Sequence, residues 1–369
     1  MAEDPSGTKR AGSRIRWGVS RPLLGVALLA FALAAPAMPS AYAASEWVRP
    51  ASPNDPLVWG RKDGILFGLP SEGGLPGPRG LIRIGVISPD TGKPQLLNFI
   101  AIEPVIFGAG SRFSRMAFSE LELSTLDRGL RGKRLWVDAG GGVQGALETV
   151  AKSPQPIERL SVRIDVEPFT ANGARVYLVA AIDSDQPGEV RLSVYQANDG
   201  PSIEELTLTA TMGNFERLRW LFLKHRVVDS RVLFRLDTGE GFYEHENYPL
   251  EEMLRVGDQD AIALCATNET SPSSAPDTHT KFWHYPLPPL TQYWKIQARD
   301  IQPDLRVRVN GRRVYWQSHN PLPNGVAFEN FELRERYKPG QAFIFGVTRK
   351  RPWDFNPPVP GLERPDVSN

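Results

Sequence analysis

The sequence predicts a mainly β protein, a large antiparallel β-sandwich with few short helices. Three observations carry this expectation. Proline and glycine number 33 each, which suits many short strands joined by turns and not helical bundles. Residues 159–169 alternate strictly, with Leu160, Val162, Ile164 and Val166 set against Arg159, Arg163, Asp165 and Glu167, the pattern of an antiparallel strand with one wet face. No coiled-coil heptad and no internal repeat interrupts this picture.

The first 43 residues stand apart. Lys9, Arg10, Arg14, Arg16 and Arg21 precede an apolar run that starts at Pro22 and ends in Ala41-Tyr42-Ala43, the organisation of a secretory signal peptide cleaved after Ala43. A retained anchor is the rival reading, but Pro36 and Pro39 interrupt the run and leave it short of the roughly 20 residues a span needs. A secreted or periplasmic protein with no stable membrane span is therefore expected. Loss of residues 1–43 removes five basic and two acidic side chains, which turns the net charge of +1 into −2. That leaves no basic excess for nucleic acid or an anionic membrane. With a single cysteine, Cys265, no internal disulfide can form, and stability must come from the core.

In order, residues 44–80 read as an N-terminal arm with one strand at 64–69, carrying Trp47, Trp59 and Phe67. It serves either as a strap over an edge strand or as an aromatic platform for sugars. Residues 81–348 form the expected sandwich. Leu81–Ile87 and Leu96–Ile106 are strands joined by a Pro-Asp-Thr-Gly turn, and the second is apolar on both faces. Asn98 and Glu103 are thus placed among apolar neighbours, where a carboxylate is paired or has its pKa raised. Residues 112–134 read as a short helix or loop excursion with a capping-box start at Ser119. The glycine-rich stretch after Trp136 lacks the Gly-Lys-Ser/Thr ending of a phosphate loop.

After the strands at 159–169, 174–182 and 189–195 comes the stretch 203–228. Leu206, Leu208, Ala210 and Met212 line one face of a strand, with Thr207, Thr209 and Thr211 on the other, and the apolar face ends at Asn214. Phe215–Arg226 fits either a short helix or a strand. The basic triplet Lys224, His225 and Arg226 at its end is either a site or the ordinary termination of an element. The loop holding His245, Glu246, Asn247 and Tyr248 reads as exposed and polar. Further on, Trp283 and His284, then Gln292, Tyr293, Trp294 and Lys295, alternate rings with hydrogen-bonding groups. That pattern fits a glycan cleft as well as a sandwich core. Residues 305–316 read as a hairpin turning at Asn310-Gly311. In the strand 326–334, Glu329 is a second carboxylate among apolar residues. The tail 349–369 is proline-rich.

Several chemistries are excluded by missing motifs. There is no Gly-x-Ser-x-Gly elbow, Cys265 lies inside an apolar run, and the five histidines form no metal-binding pair, so no metal or cofactor is expected. Two carbohydrate mechanisms survive, with a polysaccharide or oligosaccharide as partner. A hydrolase would use Glu103 and Glu329 as its paired carboxylates. A lyase, which the residue types suit slightly better, would take its base from His225, His284 or Tyr293, with Asn214, Lys224 or Arg226 quieting a uronate carboxylate. Trp283, Gln292 and Trp294 complete the expected substrate contacts. The competing class is a non-catalytic glycan-binding or surface protein.

At Leu81–Glu103, in TATMGN (209–214), TQYW (291–294) and AFENFELRE (327–335), the chain resembles a group of uncharacterised secreted bacterial β-rich proteins. The resemblance covers most of the mature chain and implies no activity. In size and strand content the chain is also similar to polysaccharide-lyase and mutarotase-like sandwiches, so a jelly-roll or mutarotase-like arrangement is expected by analogy of fold.

Overall fold

A computed structural model describes residues 46–69, 82–89, 91–106, 136–137, 143–151, 155–169, 172–211, 217–236, 238–257, 259–267, 290–315 and 319–352. The expected leader, the excursion at 112–134, most of the glycine-rich stretch and the end of the tail lie outside the described residues, as do Asn214, Trp283 and His284. Residues Ser45–Asn369 form one compact unit.

The first strands are β1 (Trp47–Val48), β2 (Val58–Arg61), β3 (Ile65–Gly68), β4 (Ile82–Ile87), β5 (Pro94–Ile106), β6 (Trp136–Val137) and β7 (Gly145–Ala151). Next come β8 (Ile157–Val166), β9 (Val176–Asp183), β10 (Glu189–Gln196), β11 (Ile203–Thr211), β12 (Trp220–Phe222) and β13 (Val227–Asp229). The last are β14 (Glu246–Pro249), β15 (Leu254–Val256), β16 (Asp260–Ala266), β17 (Thr291–Ile296), β18 (Arg306–Arg312), β19 (Ala327–Arg336) and β20 (Ala342–Thr348). One helical turn, α1 (Ser230–Leu233), is capped by the Asp229 carboxylate, which accepts from the Arg231 N–H. No helix among the described residues is long and apolar enough to cross a membrane.

These strands make two antiparallel sheets, as the alternation predicts. The nine-stranded sheet runs β1-β2-β3-β4-β5-β11-β19-β18-β14, and the eleven-stranded sheet contains β13-β12-β16-β17-β20-β10-β9-β8-β6, with β7 on β8 and β15 on β16. The sheets face each other through one continuous core. Ile100 and Ile102 of β5, Leu206, Leu208 and Ala210 of β11, and Phe331 and Leu333 of β19 come from one side, and Trp294, Phe343, Phe345, Leu178 and Leu192 from the other. Alternation puts one side chain in two on this inner face, and inter-sheet packing of this kind fills a sandwich. Two polar links cross the core: Asn98 Nδ2 donates to Gln292 Oε1 at 2.5 Å, and Trp294 Nε1 to the Phe331 carbonyl at 2.8 Å.

The structure corrects or decides the sequence reading in three places. Asn310-Gly311 is no hairpin turn: β18 runs straight through it, and the register beside β19 shifts there as a bulge. Gly311 is needed for close packing, since a Cβ at that position would lie 2.6 Å from Phe234. Second, of the two forms allowed for 215–226 the structure shows a strand, confined among the described residues to Trp220–Phe222, with Leu221 paired to Cys265 and Val228. Third, the N-terminal arm supplies β1, β2 and β3 to the nine-stranded sheet, so it extends that sheet as well as covering its edge.

Candidate functional site

The residues singled out in the sequence fall into separate regions. Lys224, His225 and Arg226 form the exposed turn of the β12–β13 hairpin, closed by a bond from Leu223 N to Arg226 O. Glu252 holds that turn, accepting from Arg226 Nη2 at 2.7 Å, while the Lys224 N–H bonds the Glu252 carbonyl. Gln292 and Trp294 lie in the inter-sheet core, both 0 % exposed. Tyr293 and Lys295 point the other way, onto the outward face of the eleven-stranded sheet. There the phenol donates to Glu189 Oε1 at 2.8 Å, and the ammonium contacts both Glu189 oxygens at 2.6 Å. Burial, reinforced by the Glu189 charge and hydrogen bond, pushes the Tyr293 phenol above its ordinary range and keeps it a donor.

Glu103 and Glu329 share one surface, the outward face of the nine-stranded sheet. The register of β5, β11, β19 and β18 lays polar side chains there in rows. Ala101, Thr209, Glu332 and Arg308 form one row; Glu103, Thr207, Arg334 and Arg306 form a second; Phe99, Thr211, Asn330 and Asn310 form a third. An outward sheet face is ordinarily wet. Here Glu103, Thr207, Thr209, Thr211, Arg308, Asn310, Arg312, Glu329, Asn330, Glu332 and Arg334 are all buried. Burying charge in this way costs several kcal/mol per ion unless partners compensate, and opposite charges lie close by, although Arg312 Nη1, Glu329 Oε1 and Glu332 Oε2 make no hydrogen bond. Arg334 and Arg306 both bind Glu205, the latter at 3.0 Å. Arg312 reaches Glu329 at 3.7 Å and lies over the Phe242 ring. Thr211 Oγ1 donates to Asn330 Oδ1 at 2.9 Å, and the Asn330 N–H to Asn310 Oδ1 at 3.0 Å.

At the centre sits Glu332, with no exposed side-chain surface. Its Oε1 lies 3.1 Å from His245 Nε2 and 3.1 Å from Thr209 Oγ1, and its Oε2 lies 3.4 Å from Arg308 Nη1. Thr209 Oγ1 is also 3.3 Å from Glu103 Oε1. Burial alone would raise the Glu332 carboxyl. Attraction to His245 and Arg308, with hydrogen bonds from His245 and Thr209, outweighs it and holds the group well below the usual carboxylate range. An ionised carboxylate only accepts, so Nε2 of His245 is the donor in this contact.

The reading of the segment 245–248 as exposed and polar holds for Glu246 and Asn247 and is corrected for His245, whose side chain is only 6 % exposed, and for the buried Tyr248. The cause is β14: Asn247 pairs with Arg308 and Glu246 with Val309, so the strand leads His245 onto the polar face. Glu332, Arg308 and Thr209 were likewise not singled out. The visible clue was the run of threonines on alternate positions of β11 opposite its apolar face.

Among the described residues no group of three or more His, Cys, Asp or Glu is placed to hold a metal ion. Fold and site together define a two-sheet antiparallel β-sandwich with a buried, charge-compensated polar face on one sheet. No family model, curated protein or solved structure matches the chain.

Proposed function

We propose that the protein is an exported enzyme that cleaves acidic polysaccharide by β-elimination on the outward face of β5, β11, β19 and β18, with His245 as the base. The observation that carries this reading is the contact of His245 Nε2 with Glu332 Oε1 at 3.1 Å. A carboxylate held ionised fixes the imidazole tautomer and orients the other nitrogen for proton abstraction, as in other carboxylate–histidine pairs. Arg308 and Arg312 lie on the same face and supply the positive charge that quiets a uronate carboxylate while its α-carbon loses a proton. A sugar substrate is an expectation from the leader read at residues 1–43 and from size and strand content, an analogy at the level of fold class alone.

Hydrolysis has weaker support on this face. Of the expected pair, Glu103 contacts Thr209, which also binds Glu332, and Glu329 lies 3.7 Å from Arg312, so each carboxylate is engaged by its own neighbours and not with the other. The pairing of opposite charges across this face, Arg308 with Glu332, Arg312 with Glu329 and Arg334 with Glu205, favours one second reading, a rigid glycan-binding protein without catalysis.

The test is incubation of the exported chain with uronate-containing and neutral polysaccharides, following new double bonds by absorbance and new reducing ends. Unsaturated products from the acidic polymers alone are expected. Reducing ends without unsaturation would move the assignment to hydrolysis, and binding without any product would move it to the glycan-binding reading.

A further inference from the structure

We propose that Arg191 and Arg299 form an oxyanion site on the outward face of the eleven-stranded sheet, away from His245, and that it holds a carboxylate of an acidic sugar chain without acting on it. The choice of a sugar carboxylate rests on the reading above, and the site itself does not.

Charge on that face is paired with one exception. Arg159 binds Asp183 at 2.6 Å, Lys295 binds Glu189 at 2.6 Å, and Arg299 lies 3.7 Å from Asp300. Glu148 and Asp185 add their charge at Arg159. Arg191 stands among these pairs with no carboxylate of its own. Its guanidinium makes one hydrogen bond among the described residues, from Nη1 to the neutral oxygen Oε1 of Gln297 at 3.1 Å. Arg299 Nη2 donates to that same oxygen at 2.9 Å, so two guanidinium groups converge on one amide oxygen. Arg191 is half-buried and has already lost part of its hydration. Burial first, then Arg159, pushes it below its ordinary range; Arg299 adds to this, and Asp183 and Asp300 oppose it. A guanidinium nonetheless stays charged. A half-buried cation answered only by an amide is stabilised by an arriving anion.

Register and one turn bring these groups together. Arg191 of β10 projects between Ala181 of β9 and Ile344 of β20, and the second of these separates it from Lys295 of β17. Gln297 directly follows β17. Its carbonyl accepts from the Asp300 N–H at 2.8 Å, and the Ala298 N–H bonds Asp260 Oδ1 at 2.9 Å, a turn that folds Arg299 back over Gln297. The other N–H groups of Arg191 remain as donors in a planar fork, the geometry that takes both oxygens of a carboxylate. A long chain held by this contact is kept near the protein at raised effective concentration.

The test is footprinting of the exported chain with an arginine-specific dicarbonyl reagent, read by peptide mass spectrometry. Three probes are compared at equal concentration: a uronate oligosaccharide, its methyl ester and inorganic phosphate. The oligosaccharide is expected to slow modification of Arg191 and Arg299, and the other two to protect less. No protection by the oligosaccharide overturns the site, and equal protection by the ester or by phosphate overturns the assignment to a sugar carboxylate. Arg191→Gln, which keeps a donor for Gln297, should raise the oligosaccharide concentration that half-protects Arg299 by roughly tenfold or more, with folding verified by thermal unfolding. An unchanged concentration counts against the proposal, as does an equal shift from Arg226→Gln, which removes a paired arginine elsewhere. Protection at Arg191 in a protein that forms no unsaturated product sinks the eliminating reading and leaves this site standing; unsaturated product with Arg191 unprotected does the reverse.

Discussion

Replacing Glu335 by glutamine is expected to stabilise the protein above neutral pH and to change little near pH 4.5. Glu335 lies near the end of β19 and is buried, paired in register with the core residue Leu206. Burial raises its carboxyl most. Hydrogen bonds from the Gln341 side chain and the Gln302 backbone oppose the rise, Asp304 and Asp300 add to it, and the balance lies at about 7 against an ordinary 4.5. The folded chain thus binds a proton that the unfolded chain has already released. The stability associated with this group is fully present below pH 4.5 and is lost as pH rises through 7. The shift corresponds to roughly 3 kcal/mol at most. Glutamine keeps the oxygen that accepts from Gln341 and cannot ionise. Urea unfolding of both proteins across this range, taken as a difference, cancels the titration of every other group. The variant should match the wild type near pH 4.5 and exceed it by about 2–3 kcal/mol near pH 8. A difference that does not change with pH, or a variant weaker at pH 8, would refute the reasoning.

Two further substitutions probe the packing that positions the outward faces. Gly346→Ala would place a Cβ 2.0 Å from Tyr293 Cζ, so a loss of about 1–3 kcal/mol is expected. Adding Tyr293→Ala should relieve the clash, and strict additivity of the two changes in unfolding experiments would contradict it. Asn98→Leu removes the donor that crosses the core to Gln292 and should cost about 1–3 kcal/mol by leaving a buried amide oxygen short of a bond. Combining it with Gln292→Leu should recover part of that loss, and a coupling energy near zero in the double-mutant cycle would show that the link is energetically idle.

Much of the fold was legible because it depends on local alternation. The strict pattern of β8 and the two faces of β11 reappear as drawn; Glu103 and Glu329 are buried, but on the polar outward face beside Thr209 and Arg312 and not among the apolar residues expected of them. The order of strands was not legible. β11 lies between β5 and β19, a pairing of segments about a hundred residues apart that no local pattern encodes. Asn310-Gly311 shows how a strong local signal is overridden: the dipeptide favours a turn, but the strand continues because Gly311 must admit Phe234 and Asn310 must receive the Asn330 N–H. The site was half legible for the same reason. Glu103 could be inferred from its own strand, whereas Glu332, His245 and Arg308 acquire meaning only when β14, β18 and β19 lie side by side. The aromatic and amide residues of β17 looked alike in sequence, and the sheet sends Gln292 and Trp294 inward and Tyr293 outward.

The central claim is that His245, oriented by Glu332, removes a proton from an acidic sugar chain. Its most direct test is the rate of unsaturated-product formation by wild type and His245→Ala on the acidic polysaccharide that the wild type cleaves fastest, with folding of both verified by thermal unfolding. The account predicts a fall of about 10²–10⁴-fold in kcat for a variant that stays folded. A folded His245→Ala protein that still forms unsaturated product at the wild-type rate would contradict it.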